Sequence, residues 1–298
     1  MSCTYCPRHC SADRRSTFGF CHATDLSEVA SVSVHKGEEP PISGKRGICN
    51  IFFAHCNLQC VYCQNHDISR AEVSPEKVFY HSVGEVVDRV AELLPHTENM
   101  VGFVSPTHYA HLVPQIVEEL HARGLCPTTV YNTNGYDTVE TLRMVAPYID
   151  IYLPDFKYMD ADLARRYSNA PDYPQRSQEA LLEMFAQKGS GLPTDDGDLA
   201  FRGIVVRHLV LPGQVRNSID CLRWMADNLS TNLHISLMAQ YFPPEGLCLP
   251  DELGRTLRTD EYQQVVEEFH ALGFHRGWVQ DLSASDTYRP DFSKKQSF

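Results

Sequence analysis

Between Gly47 and Gln280, short apolar runs alternate with stretches whose apolar residues recur every three or four positions. The runs "ICNIFFA", "MVGFVSP", "TTVYNTNG", "IDIYLPDF", "GIVVRHLVLPG" and "LHISLMAQYFPP" are short, branched or aromatic, and bounded by turn residues, so they predict strands. The helical pattern follows in "VGEVVDRVAELL", "LVPQIVEELHARG" and "TVETLRMVA", over residues 160–167 and 175–188, and in "SIDCLRWMADNL" and "DEYQQVVEEFHALG". Gly124 supplies a helix stop, and "HRGWVQ" predicts a last short strand. Six strands alternating with helices imply an α/β fold with a parallel sheet. Their near-continuous apolar character implies that both faces are covered. A doubly wound sheet and a (β/α)6 partial TIM barrel both satisfy this pattern. Polar clusters at the strand ends, "SPTH", "NTNG", "PDFK", "RHLVLPG" and "AQYFPP", favour the barrel, where that edge carries the site. "PTDDGD", residues 193–198, predicts an exposed loop.

The first 46 residues differ, being rich in cysteine, charge and turn residues. We expect residues 1–46 to form a small Cys-rich metal-binding segment and linker, with "GEEPPISGKRG" as the joining loop, and residues 47–298 to form the barrel. The formal net charge of −12 argues against nucleic acid or an anionic membrane as partner, since phosphate binding needs a basic surface. No apolar run reaches the ~18 residues of a membrane span, and "MSCTYCPRHC" has no apolar signal core. The expected location is cytoplasmic.

Eleven cysteines are many for 298 residues, and seven of them lie within the first 63. In a reducing compartment, clustered cysteines point to metal more than to disulfides. Cys49, Cys126, Cys221 and Cys248 are scattered and read as small buried hydrophobes. Cys56, Cys60 and Cys63 follow a x3-x2 spacing with no fourth cysteine beside them. Three thiolates leave one corner of a [4Fe–4S] cluster without a protein ligand, whereas such clusters usually have four. Zinc prefers four closed ligands, and His55 or His66 could supply the fourth. Upstream, Cys3, Cys6, Cys10 and Cys21 are four sulfurs at plausible ligand spacing in a segment with little core of its own. They suit structural zinc, with a second iron–sulfur cluster as the close alternative, and His9 or His22 could replace one cysteine.

Cys56-x3-Cys60-x2-Cys63, just after the first predicted barrel strand and with Tyr62 before its last cysteine, resembles the signature of radical S-adenosylmethionine enzymes. "FFAHCNLQCVYCQNHDIS", "FVSPTHY", "YNTNGYD", "DIYLPDFKY", "VVRHLVLPG", "SLMAQYFPP" and "GWVQ" resemble, in order, segments of the branch similar to pyruvate formate-lyase activating enzyme. The resemblance implies that Cys56, Cys60 and Cys63 bind three irons of a [4Fe–4S] cluster and that S-adenosylmethionine chelates the fourth. One electron then cleaves the sulfur–C5′ bond, and a 5′-deoxyadenosyl radical takes a hydrogen atom from the substrate. It also implies a one-electron donor such as flavodoxin or ferredoxin, and a glycyl radical enzyme as the protein activated. Modification of a small molecule or another protein is the alternative. A non-enzymatic iron–sulfur electron carrier and a zinc-knuckle interaction module are the readings from other classes.

By the same resemblance Tyr62 lies near the adenine, or else packs on its loop. The Gly-Gly-Glu segment usual at the second strand is absent. "VSPTH" stands there, so Ser105 and Thr107 are the proposed substitutes toward the methionine amino group. Asn132, Thr133 and Asn134 match a segment approaching the ribose, although Asn-Gly is also a turn signal. Asp155 and Lys157 match an Asp-x-Lys of activating enzymes and could equally be a salt bridge. Arg207 and His208 fall on opposite strand faces. By the family match Arg207 is the one expected inward, where its charge needs a buried partner, the cofactor carboxylate being one candidate. Gln240 is a further cofactor candidate and Tyr241 a weaker one.

Overall fold

The computed structural model describes residues 3–286 and residue 292. These carry a sheet of eight strands in chain order: β1 (Val29–His35), β2 (Ile48–Phe53), β3 (Met100–Val104), β4 (Thr128–Thr133), β5 (Ile151–Pro154), β6 (Gly203–Leu209), β7 (His234–Met238) and β8 (Gly277–Val279). Strands β2 to β8 are parallel. The six predicted strands are β2 to β7, and "HRGWVQ" contains β8. Strand β1, antiparallel to β2, was not expected. Its serines, Ser31 and Ser33, read as turn residues in a loop-rich stretch. Both are buried, with their hydroxyls 3.3 Å apart.

The helices are α1 (Pro40–Ser43), α2 (His66–Ser69), α3 (Val83–Leu93), α4 (Leu112–Ala122), α5 (Val139–Val145), α6 (Ala161–Ser168), α7 (Tyr173–Lys188), α8 (Val215–Asn228) and α9 (Thr259–Ala271). Their ends follow local chemistry. Ser82 and Glu85 close a capping box on α3, satisfying two N–H groups that no helical carbonyl can reach. Asp160 accepts the N–H groups of Asp162 and Leu163 at the start of α6. Gly124, at φ 77°, turns the chain out of α4. Apolar stripes bury the long helices against the sheet: Val86 and Val90, Ile116 and Leu120, Leu222 and Met225, Val265 and Phe269 all join one core. Residues 193–198 are exposed, as expected. No helix of the described residues is long and apolar enough to cross a membrane.

The sheet curls. Strands β1 and β6 are five steps apart, which on a flat sheet is ~24 Å at about 4.8 Å per step. Yet Arg207 of β6 donates from Nε to Glu39, just beyond β1, at 2.8 Å. The strands therefore wrap into a partial barrel, and their C-terminal ends converge on one interior.

Candidate active site

The chain leaves β2 through a loop that cannot be regular strand or helix. His55 and Gln59 both adopt left-handed backbone, at φ 65° and 57°. The two reversals present Cys56, Cys60 and Cys63 to one cavity of about 260 Å³ at the C-terminal edge of the barrel. Cys56 and Cys60 are buried and Cys63 is half-buried. Each sulfur accepts a hydrogen bond from a different part of the fold. Asn134 Nδ2 donates to Cys56 Sγ at 3.3 Å, Ser168 Oγ to Cys60 Sγ at 3.0 Å, and Ser69 Oγ to Cys63 Sγ at 3.3 Å. The Leu58 N–H adds a second donor to Cys56, at 3.4 Å.

Burial pushes the Cys60 thiol up to about 12, against the opposing pull of Lys157. The Cys63 thiol is also pushed up by burial, with the Ser69 hydrogen bond opposing. Without a metal, the Cys60 and Cys63 thiols would stay protonated. A metal that displaces those protons suits the site, because coordination requires the thiolate. Among the described residues no three His, Cys, Asp or Glu side chains converge on a single ion. That arrangement does not disfavour a cubane, whose cysteines each hold a different iron rather than sharing one. The three sulfurs, their donors and the adjoining cavity fit a cluster with a small-molecule partner.

The strand ends supply the rest of the wall. Ser105, Asn132, Asn134, Asp155, Lys157 and Gln240 all line the cavity, as does Tyr62. The Tyr62 hydroxyl lies 2.7 Å from that of Tyr158, which in turn lies 2.9 Å from Ser168 Oγ. Lys157 Nζ pairs with Asp155 Oδ2 at 2.5 Å. Burial would lower Lys157, but Asp155 and Cys60 outweigh it and hold the ammonium at about 12. Lys157 is therefore a permanent cation beside the cysteines.

Thr107 and Thr133 are not among the residues lining the cavity. Their hydroxyls instead satisfy Asp137, at 2.8 and 2.5 Å, together with the Tyr131 hydroxyl at 3.0 Å. Burial raises the Asp137 carboxyl despite these bonds. Arg207 points into the cavity and His208 away from it, its Nδ1 at 2.6 Å from the Phe156 carbonyl. The Arg207 guanidinium is held by Glu38 and Glu39. Tyr241 is buried, its hydroxyl donating to the Leu253 carbonyl at 2.6 Å.

Glu38 and Glu39 line the cavity and were not foreseen, since "GEEPP" reads only as a joining loop. Their signal was two adjacent acids in a chain that also placed Arg207 in an apolar strand. A buried guanidinium needs a partner. Ser69 and Ser168 left no signal, because each is an ordinary serine near a helix end.

Cys3, Cys6, Cys10 and Cys21 lie outside this cavity. Cys3 accepts from Arg14 Nη2 at 3.0 Å and Cys10 from the Phe20 N–H at 3.2 Å. Burial pushes Cys6 up to about 12, with Cys21, Cys3 and Cys10 as charged neighbours adding to the rise. His9, Ser11 and His22 take left-handed backbone around them, which folds the segment back on itself.

The sequence profile of the Radical SAM superfamily matches residues 50–225, more than half of the chain. The chain belongs to the radical SAM superfamily. An uncharacterized protein of Methanocaldococcus jannaschii is 27% identical over 273 residues, which is 89% of this chain and 73% of that one. Among solved structures, a domain of a pyruvate-formate lyase-activating enzyme from Bacteroides vulgatus aligns over 58% of this chain and 93% of its own. That pair shares 13% identity and a TM-score of 0.40. A spore photoproduct lyase variant aligns over 82% of this chain and 76% of its own, at 9% identity and a TM-score of 0.47. As in radical SAM enzymes generally, the cofactors are a [4Fe–4S] cluster and S-adenosylmethionine, with an external reductant.

Proposed function

We propose that Cys56, Cys60 and Cys63 hold the radical SAM cluster and that S-adenosylmethionine occupies the adjoining cavity between the strand ends. The observation that carries this is the set of three individually hydrogen-bonded sulfurs, two of them buried and one half-buried, facing one cavity. When bound, the cluster supplies the electron that cleaves the sulfonium and yields a 5′-deoxyadenosyl radical. The protein's own part is to bind and to exclude. Lys157 and Asp155 set a fixed charge pair beside the cysteines. Asn132, Asn134, Ser105 and Gln240 offer polar atoms to the cofactor, and Tyr62 an aromatic face. Thr107 and Thr133 act behind this wall, holding the Asn134 loop through Asp137. The half-buried Arg207, already held by two carboxylates, faces the same space and meets the cofactor or substrate there.

The hydrogen atom then comes from a partner. The ordered segments shared with activating enzymes support a glycyl radical enzyme as that partner, with a flavodoxin- or ferredoxin-type donor. The amino-terminal cysteines hold zinc in this reading, a closed structural knot that precedes β1, the strand by which the first 46 residues join the sheet of residues 47–298. All eleven cysteines are unpaired, which suits a reducing cytoplasm.

The test is anaerobic reconstitution with iron and sulfide, reduction, and addition of S-adenosylmethionine. Wild type forms 5′-deoxyadenosine, and Cys60→Ala forms none above background. Equal, negligible product from both proteins rejects the site. Metal counts on the same sample decide the amino-terminal site: about four irons and one zinc per chain support the knot, and about eight irons without zinc replace it with a second cluster. A glycyl radical signal in a co-purified partner supports the activating role, and its absence leaves the small-molecule reading in its place.

A further inference from the structure

Arg8 sits between Cys6 and Cys10, yet every bond its guanidinium makes is to a distant part of the chain. Nε donates to the Asn57 carbonyl at 3.0 Å, Nη1 to the Asn169 carbonyl at 2.5 Å, and Nη2 to the Ser168 carbonyl at 3.2 Å. Two aromatic rings lie near it too, with the Phe20 ring centroid 3.7 Å from Cζ and that of Tyr136 at 5.2 Å. Two of the three accepting carbonyls are at the end of α6, where Ser168 is the last helical residue and Asn169 is the left-handed cap. Helix C-termini present unsatisfied carbonyls and partial negative charge, so a cation belongs there.

Two of the residues that Arg8 holds, Ser168 and Asn57, adjoin Cys60 and Cys56 of the three-cysteine site. Ser168, whose carbonyl it binds, donates its own hydroxyl to Cys60 Sγ at 3.0 Å. Asn57 follows Cys56 directly. Its Oδ1 accepts from Asn134 Nδ2 at 2.8 Å, the same amide that reaches Cys56 Sγ. Its own Nδ2 donates to the Tyr136 carbonyl at 2.8 Å, closing the link to the ring that Arg8 faces. One side chain thus spans the loops carrying Cys56, Asn134 and Ser168.

We propose that Arg8 is a positioning residue for the three-cysteine site, and that through it the amino-terminal segment is a working part of the radical centre. This rests on the reading of Cys56, Cys60 and Cys63 as cluster ligands. A lysine cannot replace Arg8. It carries a charge but no rigid plane to lie against aromatic rings while aiming at three carbonyls. Without Arg8, the end of α6 and the Asn57 loop lose their common anchor, and the donors to Cys56 and Cys60 drift.

The test uses the full-length, iron-reconstituted protein as wild type, Arg8→Ala and Arg8→Lys. Hydrogen–deuterium exchange reads residues 56–58, 134–136 and 168–170. EPR reads the reduced cluster with and without S-adenosylmethionine. Both variants are expected to exchange faster in those three segments, with residues of α8 and α9 unchanged, and to show an altered cluster line shape. Their 5′-deoxyadenosine formation is expected to fall on the order of 100-fold, the effect of ~1 Å misplacement of a reacting group. Wild-type exchange and spectra in either variant, or full rescue by Arg8→Lys, overturns the proposal. If Arg8→Ala does not fold, Arg8→Lys decides alone, since it keeps length and charge. The exchange measurement does not depend on cofactor cleavage. A wild-type protein that forms no 5′-deoxyadenosine therefore rejects the functional reading and leaves the anchor testable.

Discussion

The donors to the three sulfurs are not equivalent. Ser168 Oγ lies closest to its sulfur, at 3.0 Å, and is buried, while Ser69 Oγ reaches Cys63, which is half-buried, at 3.3 Å. Hydrogen bonds to cluster sulfurs stabilise the more negative, reduced state and so raise the potential. Ser168→Ala is therefore predicted to lower the midpoint of the reconstituted cluster by tens of millivolts, where ~59 mV is tenfold in a one-electron equilibrium. Ser69→Ala is predicted to lower it less, because water can replace its hydroxyl. Potentiometric EPR on both variants checks the order, and a Ser168→Ala midpoint equal to wild type refutes it. The cysteines themselves were legible as a motif because they lie within one loop. Ser168 was not, since 108 residues separate it from Cys60 and only the folded barrel brings them together.

Strand ends were legible because a short apolar run ending in a polar cluster is a local pattern. What each end does depends on its neighbours. Asn134 and Gly135 show this. The pair reads as a turn or as a cofactor segment, and the fold makes the turn while also aiming the asparagine at Cys56. Asn134 Oδ1 accepts the Tyr136 N–H at 2.9 Å, an Asx turn, and its Nδ2 reaches Cys56. Gly135 is at φ 79°, and a Cβ there would lie 2.2 Å from the Asp155 carbonyl oxygen. That oxygen belongs to backbone in the turn after β5 and cannot swing aside. Gly135→Ala is predicted to cost about 2–4 kcal/mol, from left-handed strain and overpacking together. Urea denaturation measures it. A loss below ~1 kcal/mol would show that the β4 and β5 ends are looser than their geometry implies. Thr107 and Thr133 were misplaced for the same reason in reverse. Their polarity marked a strand end, but the buried Asp137 carboxyl, four residues beyond Thr133, claims both hydroxyls.

At the scale of the whole molecule, the barrel is tied across its interior by one ionic group. Arg207 on β6 meets Glu38 and Glu39 from beyond β1, and Asn50 Nδ2 on β2 donates to Glu38 Oε1 at 2.7 Å. Burial alone would raise the Glu38 carboxyl. Arg207 and His35, with the Asn50 hydrogen bond, outweigh it and bring it from 4.5 down to about 2. A carboxyl whose folded value is depressed stabilises the fold above its ordinary value and loses that contribution as pH falls through its folded value. The window is therefore pH 4.5 down to about 2. At about 1.4 kcal/mol per unit, the contribution at neutral pH is roughly 3 kcal/mol. Glu38→Gln keeps the shape and removes the charge. It is predicted to be less stable than wild type by that order at pH 7, with the gap closing as both proteins are taken from pH 4.5 toward 2. Denaturant melts of the two proteins across that range measure the gap directly. A gap that stays constant with pH would mean that Glu38 contributes through its shape and its Asn50 bond alone.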